Sequence, residues 1–272
     1  MPKRVSTVLG REFGDSLRQV IARTGLKESE LARRLGWEHA KLSDLVNGKG
    51  GTSLEEFTFL LGMCGAKPEE FQYLKGLFLE SREKGWLQLY ESVLPPHVRT
   101  LILHERIAKE IVIWSSLFIP GLLQIEPYAR AAAEDSPFVK DEDIPELVAA
   151  RIDRRGIVAG HKKFVFYVYE PVLYSEVGSA DVMAEQLHEL LRMLVRPYIS
   201  FRILPAGRAL TGDFTLLKFE KYEPVVYKGG LNSALFLDDK ASIGLYQDAL
   251  KTMDSAALGK EESRELITSI VS

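Results

Sequence analysis

The length, composition and charge of the chain indicate a soluble globular protein and exclude several other classes. Its 272 residues are 46% hydrophobic and 27% charged, which excludes a disordered or collagen-like chain, and this length predicts about two domains. A net charge of -3 argues against a protein that coats nucleic acid non-specifically. The single cysteine, Cys64, excludes an intramolecular disulfide and a zinc site of several cysteines, and its apolar neighbours predict a buried thiol.

The charge is unevenly distributed along the chain. Residues 1–49 contain ten Lys and Arg against six Asp and Glu, a surplus of +4, whereas residues 85–272 contain 21 against 26. Such asymmetry suggests that the N-terminal end contacts nucleic acid. No stretch has the roughly 20 apolar residues of a membrane span, and the first residues lack an apolar signal core. We therefore expect a cytoplasmic protein that does not enter a membrane.

The first 84 residues predict a compact bundle of five short helices. Apolar residues recur at helical spacing in five sets, beginning with Val8, Phe13 and Leu17. Ser53, followed by two glutamates, is a favourable N-cap for the fourth helix. Residues typical of helix ends, turns and helix starts separate the sets: Gly25, Gly36, Asn47-Gly48, Gly50-Gly51, Ser53 and Pro68.

The remaining residues predict a larger domain of mixed α/β structure. We expect helices over about Leu101 to Ser116, Pro127 to Glu134, Ile144 to Val158, Ser179 to Arg196, Ala241 to Asp254 and Lys260 to Val271. Strands are expected over Phe164 to Glu170, Tyr198 to Leu204, Phe214 to Phe219 and Pro224 to Tyr227. The predicted fold class is therefore α+β, with a helical domain over 1–84 and a mixed domain with a small sheet over 85–272.

The segment from Lys27 to Gly48 predicts a helix-turn-helix. A small residue, Ala32, stands where the two helices would touch, and Gly36 allows the tight turn between them. The second helix would turn its polar side chains to solvent, as a helix must do to read the major groove.

Two blocks of this segment resemble the phage-repressor-like (XRE-type) helix-turn-helix family: Glu30-Leu31-Ala32-Arg33-Arg34-Leu35-Gly36 and Leu42-Ser43-Asp44-Leu45-Val46-Asn47-Gly48. The resemblance implies a transcriptional regulator that binds a double-stranded DNA operator as a homodimer. It implies base contacts from His39, Ala40 and Asp44. Lys41 and Ser43 would approach phosphates or flanking bases, Asn47 and Lys49 would meet phosphate, and Arg33 and Arg34 would offset nearby carboxylates.

The second part of the chain resembles a domain, often labelled antitoxin-like, that follows this helix-turn-helix in actinobacterial regulators. The motifs that carry the resemblance include Phe118-Ile119-Pro120-Gly121-Leu122-Leu123-Gln124, Tyr128-Ala129-Arg130, Arg151-Ile152-Asp153-Arg154-Arg155, Glu170-Pro171-Val172-Leu173-Tyr174, the segment around Gln186, and Leu204-Pro205 with Val226-Tyr227. The resemblance implies that this domain receives a signal from a small partner protein encoded nearby or from a small molecule. Candidate ligand or partner residues are Gln124, Tyr128, Arg151, Arg154 and Glu170, although a buried pair between Glu170 and Arg151 or Arg154 would serve equally to lock the domain.

Other classes of function find less support in the sequence. It contains no phosphate-binding loop, nucleophile elbow or metalloprotease motif, so we expect no enzyme, no cofactor and no metal site. His104 and His188, each beside a glutamate, are expected to be solvated. The acidic residues Glu28, Glu38 and Asp44 leave one alternative open, a protein-interaction module with weak or no DNA binding.

Overall fold

The computed structural model describes residues 6–81, 86–89, 96–137, 139–207, 212–230 and 233–272. The chain divides into two compact units, Met1–Trp86 and Leu87–Ser272. The domain boundary that the sequence predicts between residues 84 and 85 lies outside the described residues.

The described residues of the first unit form the five helices that the sequence predicts. They are α1 (Val8–Ala22), α2 (Glu28–Arg34), α3 (His39–Val46), α4 (Leu54–Met63) and α5 (Pro68–Glu80). Phe13, Phe57 and Phe78 lie in one core, with the Phe57 and Phe78 rings stacked at 4.6 Å between centroids. Cys64 is buried at the edge of this core, and burial raises the pKa of its thiol, so the prediction of a buried thiol is confirmed.

The N-cap predicted for α4 is also confirmed. The Ser53 hydroxyl accepts a hydrogen bond from the Glu56 backbone N–H at 3.2 Å, and the Glu56 carboxylate accepts one from the Ser53 N–H at 3.0 Å. This reciprocal capping box satisfies two backbone donors that the start of a helix leaves without partners. Pro68 opens α5 at its first turn, where a missing N–H costs nothing.

Three glycines allow α1 to pack directly on the backbone that ends α3. A Cβ atom on Gly10 would stand 2.3 Å from the Gly48 carbonyl oxygen, and one on Gly14 would stand 2.2 Å from the Val46 carbonyl oxygen. Gly48 itself has φ +69°, a conformation that favours glycine. The position of α3 in the first unit therefore depends on a contact that a larger residue at Gly10 or Gly14 would obstruct.

The described residues of the second unit form one mixed sheet of seven strands with helices around it. The strands are β1 (Trp86–Leu89), β2 (Glu110–Ser115), β3 (Lys163–Tyr169), β4 (Ile199–Leu204), β5 (Phe214–Lys218), β6 (Val225–Gly229) and β7 (Ser233–Leu237), in the order β1-β7-β6-β5-β2-β3-β4. Strands β2, β3 and β4 are parallel, whereas β5 is antiparallel to β2 and β6, and β6 to β7. The helices are α6 (Pro96–Ile107), α7 (Glu126–Glu134), α8 (Ile144–Arg155), α9 (Ala180–Leu194), α10 (Lys240–Ala256) and α11 (Lys260–Val271).

The helices cover the sheet because its central strands are apolar on both faces. Val112, Tyr167 and Leu216 lie in one core with Ile243 and Met253 of α10. Helices α9 and α11 pack against each other and against β4. The strands β2 and β3 are joined through α7 and α8, so these two helices lie in the crossover between parallel neighbours, the kind of connection that parallel strands require.

The prediction of one helix from Leu101 to Ser116 is wrong. The chain forms α6 up to Ile107 and then β2, in which every residue from Ile111 to Ser115 is buried. A strand buried on both faces shows no alternation of polar and apolar residues, so its pattern resembles that of a buried helix. The β-branched run Ile111-Val112-Ile113 favours the strand. The sequence pattern also misses strands β1 and β7, whereas the other helices and strands agree to within a few residues.

No helix in the described parts of the chain is both long enough and apolar enough to cross a membrane.

Replacing Gly14 by Ala should lower the stability of the first unit by about 1–3 kcal/mol, because the new methyl group collides with the Val46 carbonyl. Gly76 lies inside α5, and a methyl group added there would meet no atom within 4 Å, so Gly76→Ala should instead be neutral or stabilise by up to about 1 kcal/mol. Hydrogen exchange of the α1 and α3 amides in the full chain would measure both effects. Equal protection in the two variants would contradict the proposed contact.

Candidate functional site

The turn between α2 and α3 is closed by backbone hydrogen bonds at a left-handed glycine. Gly36 has φ +69°, the Gly36 N–H donates to the Arg33 carbonyl at 3.1 Å, and the Trp37 N–H donates to the Ala32 carbonyl at 2.8 Å. This pair of bonds is a Schellman motif, which ends a helix sharply. Ala32 is buried, as expected for the small residue at the helix contact.

The helix α3 ends in the same way. The Gly48 N–H donates to the Leu45 carbonyl at 3.0 Å and the Lys49 N–H donates to the Asp44 carbonyl at 2.9 Å. Each of the two helices α2 and α3 therefore ends in a glycine turn, at the positions that the sequence indicated.

One face of α3 is buried and the other faces solvent. Leu42, Leu45 and Val46 are buried in the core of the first unit. The predicted base-contacting residues His39 and Ala40 are exposed at the start of the helix, and the other predicted contacts on α3 are partly exposed: Lys41, Ser43 and Asp44. The start of α3 therefore carries its smallest exposed side chain, Ala40, where a close approach to another molecule is least obstructed.

All four cations predicted at this surface are paired with carboxylates of the same unit. Arg33 and Arg34 share Glu30 on α2, with Arg34 Nε 3.1 Å from Glu30 Oε1. Lys41 pairs with Glu56 and lies 4.9 Å from the centre of the Trp37 ring. The hydrogen bond from Lys41 lowers the pKa of the Glu56 carboxyl group.

The fourth pair joins Lys49 Nζ to Asp44 Oδ1 at 3.5 Å. These pairs are formed by exposed or partly exposed side chains, and Arg33 is 76% exposed. Exposed pairs contribute about 0–1 kcal/mol each, so another anion can replace the carboxylates at little cost.

Asn47 binds protein groups, and a fifth cation, Arg18, lies beside it. The Asn47 side chain accepts a hydrogen bond from Arg18 Nη2 at 2.6 Å and donates to the Ser43 carbonyl at 2.7 Å. Sequence reasoning missed Arg18 because it lies on α1, 29 residues before its partner. In the sequence, the indication of this contact is an arginine next to the apolar positions Leu17 and Val20 of the same helix, both of which are buried.

In the second unit, the predicted residues Gln124, Tyr128 and Arg151 are brought together. Gln124 is buried, donates to the Ile119 carbonyl at 2.6 Å and accepts from Arg151 Nη1 at 3.0 Å. The buried Tyr128 hydroxyl accepts a hydrogen bond from the Ile119 N–H at 3.1 Å. These bonds fix the Ile119-Pro120-Gly121 turn, which lies over the Arg151 side chain.

Gln186 holds the other side of this segment. It is fully buried, accepts from the Ile125 N–H at 2.9 Å and donates to the Leu123 carbonyl at 3.0 Å. The side chains of Gln124 and Gln186 therefore satisfy backbone groups that a buried turn would otherwise leave without partners.

Arg154 forms a buried pair with a residue that sequence reasoning did not single out. Its Nε and Nη2 atoms donate to the two carboxylate oxygens of Glu105 at 3.0 and 2.7 Å, and Glu105 is 1% exposed. Glu170 lies apart from this pair: its carboxylate accepts a hydrogen bond from the Ala206 N–H at 2.9 Å. The expectation that His104 is solvated is wrong, because His104 is fully buried and its Nδ1 lies 2.7 Å from the Thr100 carbonyl oxygen.

Comparison with known families gives two matches. A helix-turn-helix domain model matches residues 12–74, which include α2, the turn and α3. The model of a domain of unknown function, DUF5753, matches residues 98–269, most of the second unit. A search of curated proteins found no match to the chain.

Replacing Glu105 by Gln should lower the free energy of unfolding of the second unit by about 3–5 kcal/mol, because it leaves the Arg154 guanidinium without its counter-charge. A matched control is Asp248→Asn, which breaks the exposed pair with Lys251 on α10 and should change stability by less than about 1 kcal/mol. Urea denaturation of the full chain with hydrogen exchange of α8 measures both. Equal effects of the two variants would contradict a structural role for Glu105.

Proposed function

The chain belongs to the DUF5753 family, and we propose that it is a sequence-specific DNA-binding transcriptional regulator that acts as a homodimer. The observation that supports this proposal most directly is the pair α2 and α3, in which a glycine turn ends each helix and the first residues of α3 are exposed. A helix presented in this way fits the major groove of DNA, with its N-terminal end against the base edges.

The residues at the start of α3 suggest how bases would be distinguished. His39 and Ala40 would lie nearest the base edges, where the Ala40 methyl group suits the methyl group of thymine. Asp44, one turn later, accepts only from a donor such as the cytosine N4 amino group, and its interaction with Lys49 would be exchanged for that contact.

Phosphate binding would use the cations around α3. Arg33, Arg34, Lys41 and Lys49 would exchange their carboxylate partners for phosphates, and Arg18 would join them beside Asn47. Each phosphate contact releases counterions from DNA, so binding should weaken as salt rises. The second unit would dimerise and receive the signal, from a small partner protein or a small molecule.

Replacing both Lys41 and Lys49 by Ala should weaken binding to all DNA sequences and reduce the slope of log affinity against log salt by about two, one for each lost phosphate contact. The control is Lys67→Ala, which removes an exposed lysine at the start of α5, outside the motif. Fluorescence anisotropy with DNA from upstream of the gene that encodes the chain, at several salt concentrations, measures both the affinity and the slope of log affinity against log salt. An unchanged slope in the double variant would contradict the proposed contacts.

Replacing Glu56 by Gln should strengthen DNA binding and steepen its salt dependence. The reason is that Lys41 then binds phosphate without first breaking its ion pair with the Glu56 carboxylate. The glutamine oxygen can still accept the Ser53 N–H, so the cap of α4 is retained. The control is Glu55→Gln, which removes the same charge one residue away on the exposed side of α4. If the two variants bind DNA equally, the Lys41–Glu56 pair does not restrain DNA binding.

A second candidate function is a protein-interaction module with little or no affinity for DNA. The pairing of Arg33, Arg34, Lys41 and Lys49 with the chain's own carboxylates favours it, since a surface with satisfied charges has less to gain from phosphates. The anisotropy experiment separates the two functions: a regulator binds its upstream DNA with salt dependence, and an interaction module gives no binding at micromolar protein.

A further inference from the structure

A cavity of about 390 Å³ lies beside α7 and α8 in the second unit. The space exists because α7 turns small side chains toward it and α8 turns aliphatic ones. The residues are Ala129, Ala132 and Ala133 on α7, and Leu147 and Val148 on α8. The lining is mostly apolar, and the volume lies near the lower end of the range of about 300–1,000 Å³ found for small-molecule sites.

One cation, Arg151, lines this cavity without a carboxylate partner among the described residues. Its Nη1 donates to the Gln124 side-chain oxygen at 3.0 Å, and no other described acceptor binds its guanidinium. The neighbouring Arg154 is neutralised by Glu105. Burial and the nearby Arg154 lower the pKa of Arg151, the direction expected for a cation that lacks a counter-charge.

A guanidinium remains protonated under ordinary conditions, and an amide oxygen offers it a hydrogen bond without a negative charge. The other polar lining residues do not supply that charge. Asp135 is exposed, outside ion-pairing distance of Arg151, and Ser136 is neutral. Arg151 therefore places in a mostly apolar cavity a positive charge without a counter-charge. A compact anion with planar oxygens can supply that charge, and a carboxylate does so with two parallel hydrogen bonds to the guanidinium.

We infer that this cavity binds a small-molecule carboxylate with an apolar body, whose carboxylate pairs with Arg151 and whose body lies against the alanines of α7. An extended peptide is less well suited, because its backbone needs hydrogen-bond partners along its length and this lining is mostly apolar. Phe118 lines the cavity and is 40% exposed, so the mouth of the site is apolar as well. The role of this cavity as the site of a regulatory signal rests on the proposed function. Its binding test involves no DNA, so ligand binding and DNA binding can fail separately.

The test uses octanoate as the probe and isothermal titration calorimetry on the full chain. We expect octanoate to bind, and 1-octanol, which has the same chain without the charge, to bind more weakly. Arg151→Met should weaken octanoate binding about 10–100-fold, the effect of losing hydrogen bonds to a charged group, and should leave 1-octanol binding unchanged. The control is Arg130→Met on α7, which removes a partly exposed arginine that is paired with Glu126 and does not line the cavity.

A second variant keeps the inference testable if Arg151→Met disturbs the fold. Ala133→Leu narrows the cavity and leaves Arg151 and Gln124 intact, so it should weaken octanoate binding and shift the preference to a shorter acid such as butanoate. Three results would overturn the inference: no binding of octanoate to the wild type, equal binding of octanoate and 1-octanol, or a peptide with a C-terminal leucine binding where octanoate does not.

Discussion

Both units pair cations with carboxylates, and the burial of each pair decides whether it holds the fold or can be exchanged. In the first unit the pairs are exposed or partly exposed: Arg33 and Arg34 with Glu30, and Lys41 with Glu56. In the second unit the Arg154–Glu105 pair is buried, with its carboxylate 1% exposed. An exposed pair contributes about 0–1 kcal/mol, whereas breaking a buried one costs about 3–5 kcal/mol. The carboxylate of an exposed pair can be replaced by another anion, whereas the buried pair stabilises the fold.

Arg151 stands between these two cases. It lies one helical turn from Arg154 on α8 and is partly buried like it, but its described partner is the neutral Gln124. Since Gln124 also holds the Ile119 carbonyl, the same small network fixes a turn and presents a guanidinium to the cavity. A ligand that supplies the missing charge would act on a structural element of the second unit, which is the property that a regulatory site requires.

The sequence predicts the first unit well because its information is local. Helix ends at Gly36 and Gly48, the cap at Ser53 and the start at Pro68 each follow from a residue and its near neighbours. The strand β2 could not be predicted in the same way. It is buried on both faces, and only its β-branched residues favour a strand over a helix.

The candidate sites show the same limit. The exposed positions His39 and Ala40 follow from helical spacing, but the Arg18–Asn47 bond joins residues 29 apart and the Arg154–Glu105 pair joins residues 49 apart. A pattern of neighbouring residues in the sequence does not predict such contacts. The resemblance identified Arg151 and Gln124 as candidates. Only their contacts show that Arg151 has no carboxylate partner among the described residues and that Gln124 binds the backbone.

The pairs around α3 also bear on why the proposed regulator should need two copies. Five cations surround the helix, Arg18, Arg33, Arg34, Lys41 and Lys49, and three of the chain's own carboxylates lie among them, Glu30, Asp44 and Glu56. Glu38, immediately before the helix, is a fourth carboxylate. The surplus is therefore one charge per first unit, and counterion release grows with the number of phosphates that a protein neutralises. One copy therefore gains little affinity from charge alone. Two linked copies on adjacent half-sites gain affinity because the second binding event is intramolecular, so that dimerisation and the sequence of the operator, more than bulk charge, would determine where this protein binds.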